Sequence, residues 1–272
     1  MSIQTANNKP TPFVNDWDVH LYDHRHRYVS HLATDLLQLL DPQYGEHILD
    51  LGCGTGHLTY RMTGCGAEVI GVDHSVSMID QASHLYPHQA YPQLKFAVID
   101  AASLAMNKQF DGVFSNAVLH WVKQPEKVLE GVWQALKPGG RFVAELGGKG
   151  NVEAIIQGIC EALDEVGYPE NKAFNPWYFP SIGEYSTLLE GQGFQVKVAT
   201  LFDRPTPLDE GKNGLQNWMK MFASCFFQNI PSEEQEYIFK RVEKKLRSNL
   251  YRNGTWIADY KRLRIKAVKP RS

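Results

Sequence analysis

Apolar and polar positions fall into short blocks along residues 16–150, and the period of the pattern changes from block to block. From Asp16 to Leu40 the pattern is helical, with Leu32, Leu36, Leu37 and Leu40 at helical spacing; Pro42 and Gly45 end the helix. His47–Leu51 is an apolar run of strand length, followed by a predicted helix over Leu58–Met62. Glu68–Asp73, Leu94–Asp100 and Phe110–Ser115 read as further strands. A helix over Ser75–Leu85, with Ser75 as N-cap, joins the first two of these. Pro125–Leu136 predicts a helix with proline in its first turn, Lys137–Gly140 a turn, and Arg141–Leu146 a buried strand. Strands and helices alternating in this way argue for a parallel sheet with helices on both faces.

The second half follows a different rhythm. Val152–Val166 and Ile182–Gln192 predict helices, the latter stopped by Gly193, and Phe194–Phe202 alternates as a strand. Pro205–Leu250 is mostly helical and carries the aromatic residues Trp218, Phe222, Phe226 and Phe227. Trp256–Val268 alternates again, and its change of phase at Lys261 and Arg262 reads as a bulge in a long final strand. Residues 1–15 carry no periodic pattern and read as disordered, and the chain has no internal repeat.

Composition narrows the class. The 272 residues are 43% hydrophobic and 21% charged, enough for one large domain or a domain with a cap. No run approaches the ~18 apolar residues of a membrane helix, and the polar start Met1–Pro10 lacks a signal-peptide core. Cys53, Cys65, Cys160 and Cys225 show no paired ligand spacing and read as reduced thiols, so a cytoplasmic protein is expected. The net charge of −2 is uneven: residues 231–272 hold twelve Lys and Arg against five Asp and Glu. These charges interleave with apolar residues in amphipathic segments rather than forming a block. They read as solvated faces, so neither nucleic acid nor a membrane is the expected partner, and the pattern leaves oligomeric state open.

The chemistry concentrates in Ile48–His57. An apolar run ends in Asp50 and Leu51, and Gly52, Gly54 and Gly56 follow at alternate positions. Glycines there let the backbone turn tightly and approach a ligand, and the following helix start offers free N–H groups. The dinucleotide fingerprint needs G-x-G-x-x-G, whereas the third glycine here comes one residue early. Asp50, just before the turn, would repel a pyrophosphate and suit a cation. Leu49-Asp-Leu-Gly-Cys-Gly-Thr-Gly56 resembles the first motif of the class I S-adenosylmethionine-dependent methyltransferases.

That resemblance is strong over residues 16–150 and holds in outline beyond. It implies a Rossmann-like α/β fold, a seven-stranded, mostly parallel sheet whose last strand is antiparallel, with helices on both faces. The predicted strands 194–202 and 256–268 fit the last two roles. Residues 1–45 would form an N-terminal lid segment and 46–272 the methyltransferase domain, with a helical cap insertion over 203–253. The cofactor would be S-adenosyl-L-methionine, held by Asp50, Gly52, Cys53, Gly54, Gly56, Asp73, His74, Met78, Asp100, Ala101 and Asn116. Asp73, 23 residues beyond Asp50, also lies close to the ~20-residue offset of a ribose-binding acid. Met78 suits either the adenine face or the core. The resemblance gives Asp100 and Ala101 to the adenine and Asn116 to the methionine part.

Asn116 continues Ala-Val-Leu rather than Pro-Pro-Tyr, which argues against a base-amine acceptor. Leu119-His-Trp121 resembles the small-molecule branch that includes trans-aconitate-type methyltransferases. A small-molecule acceptor is therefore expected, with O-methylation of a carboxylate or hydroxyl. The alternatives are C-methylation or cyclopropane formation on a lipid, an NAD-dependent oxidoreductase, and a cofactor-binding protein without catalysis. His120 is the candidate base, with a purely hydrogen-bonding histidine as the competing reading, and Tyr22 is a second catalytic candidate. Trp17, His26, Trp121, Trp177, Tyr178 and Arg204 are candidates for the acceptor pocket, Arg204 by bidentate pairing with an anion. His20, His24, His26 and His31 cluster, yet a charged helix face accounts for them and no metal site is assigned.

Overall fold

The computed structural model describes residues 34–271 apart from Lys108. In chain order the main elements are α1 (Thr34–Leu40), β1 (His47–Leu51), α2 (His57–Met62), β2 (Glu68–Asp73), α3 (Val76–Leu85) and β3 (Leu94–Val98). Then follow β4 (Phe110–Asn116), α4 (Pro125–Ala135), β5 (Leu136–Gly147), α5 (Glu153–Val166) and α6 (Ile182–Gly191). The chain closes with β6 (Gln195–Pro207), α7 (Gly214–Phe222), α8 (Ser232–Leu250), β7 (Tyr251–Arg252) and β8 (Thr255–Val268). One sheet runs β3-β2-β1-β4-β5-β8-β6, with the two-residue β7 paired to β8. Strands β1 to β5 are parallel, and β8 lies antiparallel between β5 and β6. This is the Rossmann-like, mostly parallel sheet that the alternation and the resemblance led us to expect.

Side-chain parity explains the layers. Leu49 and Leu51 of β1 face one cluster with Phe142, Ala144 and Leu146 of β5, covered by α4 and α6. Ile48, Phe114 and Val143 face the other way, onto α1 and α2. Leu36 and Leu40 of α1 are fully buried there, so residues 34–40 are part of the domain core. The rest of the expected lid, residues 1–33, lies outside the described residues. Ser75 caps α3 as expected, its hydroxyl accepting the Met78 N–H.

Three boundaries differ from the sequence reading. Lys137–Gly140 is not an isolated turn: β5 starts at Leu136, and an irregularity between Phe110 and Gly112 of β4 absorbs it. Strand β6 runs on to Pro207, because β8 pairs with it along its whole length, so the helical insertion starts later. Arg262 and Lys261 do not form a bulge: they pair in unbroken register with Phe202 and Asp203 of β6, and Arg262 also with Gly147 at the end of β5. The phase change records a change of covering layer. Trp256, Ala258 and Tyr260 are buried on one face against α5, α7 and α8, whereas Leu263, Ile265 and Ala267 are buried on the opposite face.

The upper parts of β6 and β8 extend beyond Gly147, the last residue of β5. They carry α7 and α8 past the carboxyl edge of the parallel strands, where open α/β sheets bind ligands. Trp218, Phe226 and Phe227 are core of this cap. Buried in this way, these three side chains present no apolar face to a bilayer. No described helix is long and apolar enough to cross a membrane.

Candidate functional site

The turn between β1 and α2 hangs on β2: the N–H groups of Gly52 and Cys53 both donate to the carbonyl of Val72. Gly52, Gly54 and Gly56 all have left-handed backbone, with φ of +81°, +53° and +82°. A Cβ on Gly52 would lie 2.2 Å from Val118, and one on Gly56 2.8 Å from Phe96. Beside Gly54 nothing lies within 4 Å. Two of the glycines therefore permit close packing, and the middle one leaves an open place against the backbone.

Carboxylates surround that place. Asp50 is buried and accepts the Thr59 hydroxyl at 2.7 Å. Burial, aided by the negative charge of Asp73 and opposed by that hydrogen bond, pushes its pKa up to about 7. Asp73 accepts the N–H of Gly54 through Oδ2 and that of Ser75 through Oδ1, both at 3.0 Å. Oδ2 keeps a second lone pair for a ligand hydroxyl, whereas Oδ1 also faces His74 Nδ1. The neighbouring His74, 3.3 Å from Asp73, is held more basic than usual by that partner. Cys53 is held well above the usual thiol range by burial and by Asp50 and Asp73, so it is a packed thiol rather than a nucleophile. Met78 is buried at the start of α3. Asp100 caps a short 3-10 turn by accepting the Ala102 N–H at 3.0 Å, with Ala101 buried behind it.

Asn116 ends β4 beside Glu145 of β5 and precedes Ala117, whose φ is +60°. His120 follows in the turn Leu119–Trp121. Its Nδ1 accepts the N–H of Gly147 at 3.1 Å. That bond fixes the proton on Nε2 in the neutral ring, so the ring is a donor with no free lone pair. Burial and the positive charge of Arg262 hold its pKa well below the ordinary histidine value. Nδ1 is thus engaged by backbone in the way that the hydrogen-bonding reading expects.

The acceptor-side candidates separate into three groups. Trp121 and Trp177 lie together, ring centroids 5.7 Å apart, and His120 lies 5.6 Å from Trp121. Tyr178 joins them through the backbone, donating its N–H to the His120 carbonyl at 2.8 Å. Arg204 is not an isolated surface cation: it pairs bidentately with the buried Glu145, which also holds Arg264. Trp17, Tyr22, His26 and the histidine cluster lie outside the described residues. Sequence reasoning missed Thr59, Glu145, Gly147 and Arg264. For Glu145 a signal existed, a lone acid inside the apolar run Phe142–Leu146.

These residues fit an adenosyl sulfonium compound better than a dinucleotide. The open place at Gly54 admits a ligand against the backbone, Asp73 suits ribose hydroxyls, and Asp50 favours a cation. The same two carboxylates would repel a pyrophosphate. The comparisons agree. Residues 42–193 match a family model described as a methyltransferase domain. An uncharacterized methyltransferase of Schizosaccharomyces pombe is 33% identical over 260 residues, 93% of this chain and 98% of its own length. A tRNA U34 carboxymethyltransferase of Citrifermentans bemidjiense is 28% identical over 205 residues, 75% of this chain, which spans only 60% of that relative. A trans-aconitate 2-methyltransferase of Deinococcus radiodurans is 33% identical over 116 residues, 42% of this chain and 43% of its own. Among solved structures, the YcgJ protein from Bacillus subtilis superimposes with a TM-score of 0.63 at 18% identity, covering 89% of this chain and all of that one, at 100%. The chain belongs to the methyltransferase domain family and is an S-adenosylmethionine-dependent methyltransferase.

Proposed function

We propose that this enzyme methylates a carboxylate oxygen of a small cytoplasmic molecule. The observation that carries the reading is the Gly147 N–H on Nδ1 of His120. A hydroxyl or amine acceptor needs a base with a pKa near the working pH. His120 is neutral, its lone pair is used and its pKa is depressed. A carboxylate needs no base, because it is already ionised at neutral pH.

The chain's own groups then have three tasks. The glycine turn, Asp50 and Asp73 hold the donor, with His74, Met78, Asp100 and Ala101 along its nucleoside side and Asn116 along its methionine side. The neutral His120, through its Nε2–H, and the aromatic group Trp121, Trp177 and Tyr178 position the acceptor and exclude water. Holding the acceptor in line is an orientation effect worth up to ~7–11 kcal/mol. When bound, S-adenosylmethionine supplies an activated methyl: an acceptor oxygen forms the C–O bond, the S–CH3 electron pair returns to sulfur, and no proton moves. Similarity to a trans-aconitate 2-methyltransferase supports a small-molecule acceptor.

The test is a screen with methyl-labelled donor against a cell metabolite pool and, separately, total tRNA. Label in a small carboxylic acid is expected. Label in tRNA alone would overturn the reading.

A further inference from the structure

A connected set of rings continues the donor turn toward the cap. Val118 rests on Gly52, where a Cβ would meet it at 2.2 Å, and His120 and Trp121 follow in the same turn of chain. The His120 ring centroid lies 5.6 Å from that of Trp121 and 5.9 Å from that of Phe179. Trp177 touches both partners, 5.7 Å from Trp121 and stacked on Phe179 at 5.7 Å. Trp218 and Phe222 of α7 complete the group, the first 5.9 Å from Trp177 and the second 6.5 Å from Trp121. Phe179 also rests on Gly147 at the end of β5, where a Cβ would lie 2.5 Å from its ring.

Folding accounts for part of this group. Trp177 and Trp218 belong to the core of the cap, and the Trp218 N–H is satisfied by the Tyr260 hydroxyl at 2.6 Å. Trp121, Phe179 and Phe222 are only half-buried on that core. His120 is 6% exposed, yet among the described residues its Nε2–H has no acceptor. Buried N–H groups are nearly always paired, so an unpaired one beside the donor turn points to a ligand atom. Rings of this kind also attract an ammonium group. Arg262, however, pairs in the sheet with the same Gly147 that meets His120, and its positive charge there favours an anion over a cation.

We infer that these rings are the platform for an aromatic acceptor, so that the substrate is an aryl monocarboxylate. Its ring lies against Trp121, Phe179 and Phe222 while one carboxylate oxygen accepts the His120 Nε2–H. The other oxygen forms the C–O bond, the S–CH3 electron pair returns to sulfur, and no proton moves. The inference rests on the proposal of carboxylate methylation. An aromatic contact adds roughly two- to tenfold in affinity beyond the area it buries. A saturated ring of the same size gains the area but not this increment.

Calorimetry on the full chain loaded with S-adenosylhomocysteine tests this, with phenylacetate, cyclohexylacetate, acetate and 2-phenylethanol as probes. Phenylacetate is expected to bind about tenfold or more tightly than acetate and about threefold or more tightly than cyclohexylacetate. In W121L, which keeps apolar bulk and loses the indole, the preference for phenylacetate over cyclohexylacetate should disappear. Affinity for S-adenosylhomocysteine should stay within about twofold, which also reports that the variant folds; where W121L does not fold, F222L makes the same test. Cyclohexylacetate bound as tightly as phenylacetate by the natural protein, or neither bound, overturns the platform. A folded W121L that keeps the preference overturns it as well. Failure of the carboxylate reading would appear separately: 2-phenylethanol would bind as tightly as phenylacetate, with W121L weakening both, which keeps the platform for the ring and overturns the acid.

Discussion

The Nδ1 atom of His120 accepts the backbone N–H of Gly147, 27 residues away in sequence, at 3.1 Å. This contact joins the turn after β4 to the end of β5 and settles which ring nitrogen carries the proton. H120N, whose amide oxygen can take over the acceptor position, should keep kcat within about tenfold. A general base would instead cost 10²–10⁴-fold. With the donor saturating, the pH profile of kcat/KM for the acceptor in the natural protein should show no limb near the ordinary histidine pKa; such a limb, lost in H120N, would restore the base.

Asp50 couples stability to ligand binding. Its carboxyl has an ordinary pKa of 3.8 and reaches about 7 in the folded protein. The folded state therefore holds this proton more tightly than the unfolded chain. The resulting stabilisation is full below pH 4 and is lost as pH rises through 7, a difference on the order of 4 kcal/mol. Thermal denaturation of the ligand-free protein between pH 5 and 8 should show this fall, and D50N should flatten it.

Binding of the cationic donor should run the opposite way, strengthening up to tenfold per pH unit as Asp50 ionises between pH 6 and 7. His74, made more basic by Asp73, loses its charge as pH rises and adds in the same direction. Calorimetry with S-adenosylmethionine at pH 6 and pH 8 would measure the gain. D50N should bind the donor at least tenfold more weakly at pH 8 even where it is the more stable protein. Equal affinities at both pH values would remove Asp50 from the donor site.

The glycines of the turn should fail differently. G52A places a Cβ 2.2 Å from Val118 at a φ of +81° and should cost several kcal/mol of stability. G54A meets nothing within 4 Å at a φ of +53°, so its stability loss should be about 1 kcal/mol. Its donor affinity should nonetheless fall more than tenfold, because the methyl occupies the open place. Chemical denaturation and calorimetry on both variants separate packing from ligand approach. A G54A protein with normal donor affinity would contradict the cradle.

Leu36 is fully buried beneath the sheet with Ile48, Phe114 and Val143. L36A should therefore cost about 2–5 kcal/mol, as a core position does. A mobile lid residue would cost little, so urea denaturation distinguishes the two.

The parts legible from sequence are those set by local backbone chemistry. Three left-handed glycines in five residues announce a ligand turn, and Ser75 announces the start of α3. The acids that end β1 and β2, Asp50 and Asp73, are readable because strand length and turn position place them. Pairings across the fold were not legible. Arg204 was recognised as an anion partner, but nothing in its neighbourhood reveals Glu145, 59 residues earlier. The strand Thr255–Val268 was misjudged for a related reason. Its pattern records which helices cover each face, and that follows from tertiary packing rather than from strand geometry.

The most direct test of the account is the alkali lability of the transferred methyl. The small-molecule product formed with methyl-labelled S-adenosylmethionine is treated with dilute base, and the volatile label is counted. A carboxylate acceptor gives a methyl ester, so most of the label should leave as methanol. Label that stays on the product through the same treatment marks an ether, amine or carbon methyl, and that result would contradict carboxylate methylation.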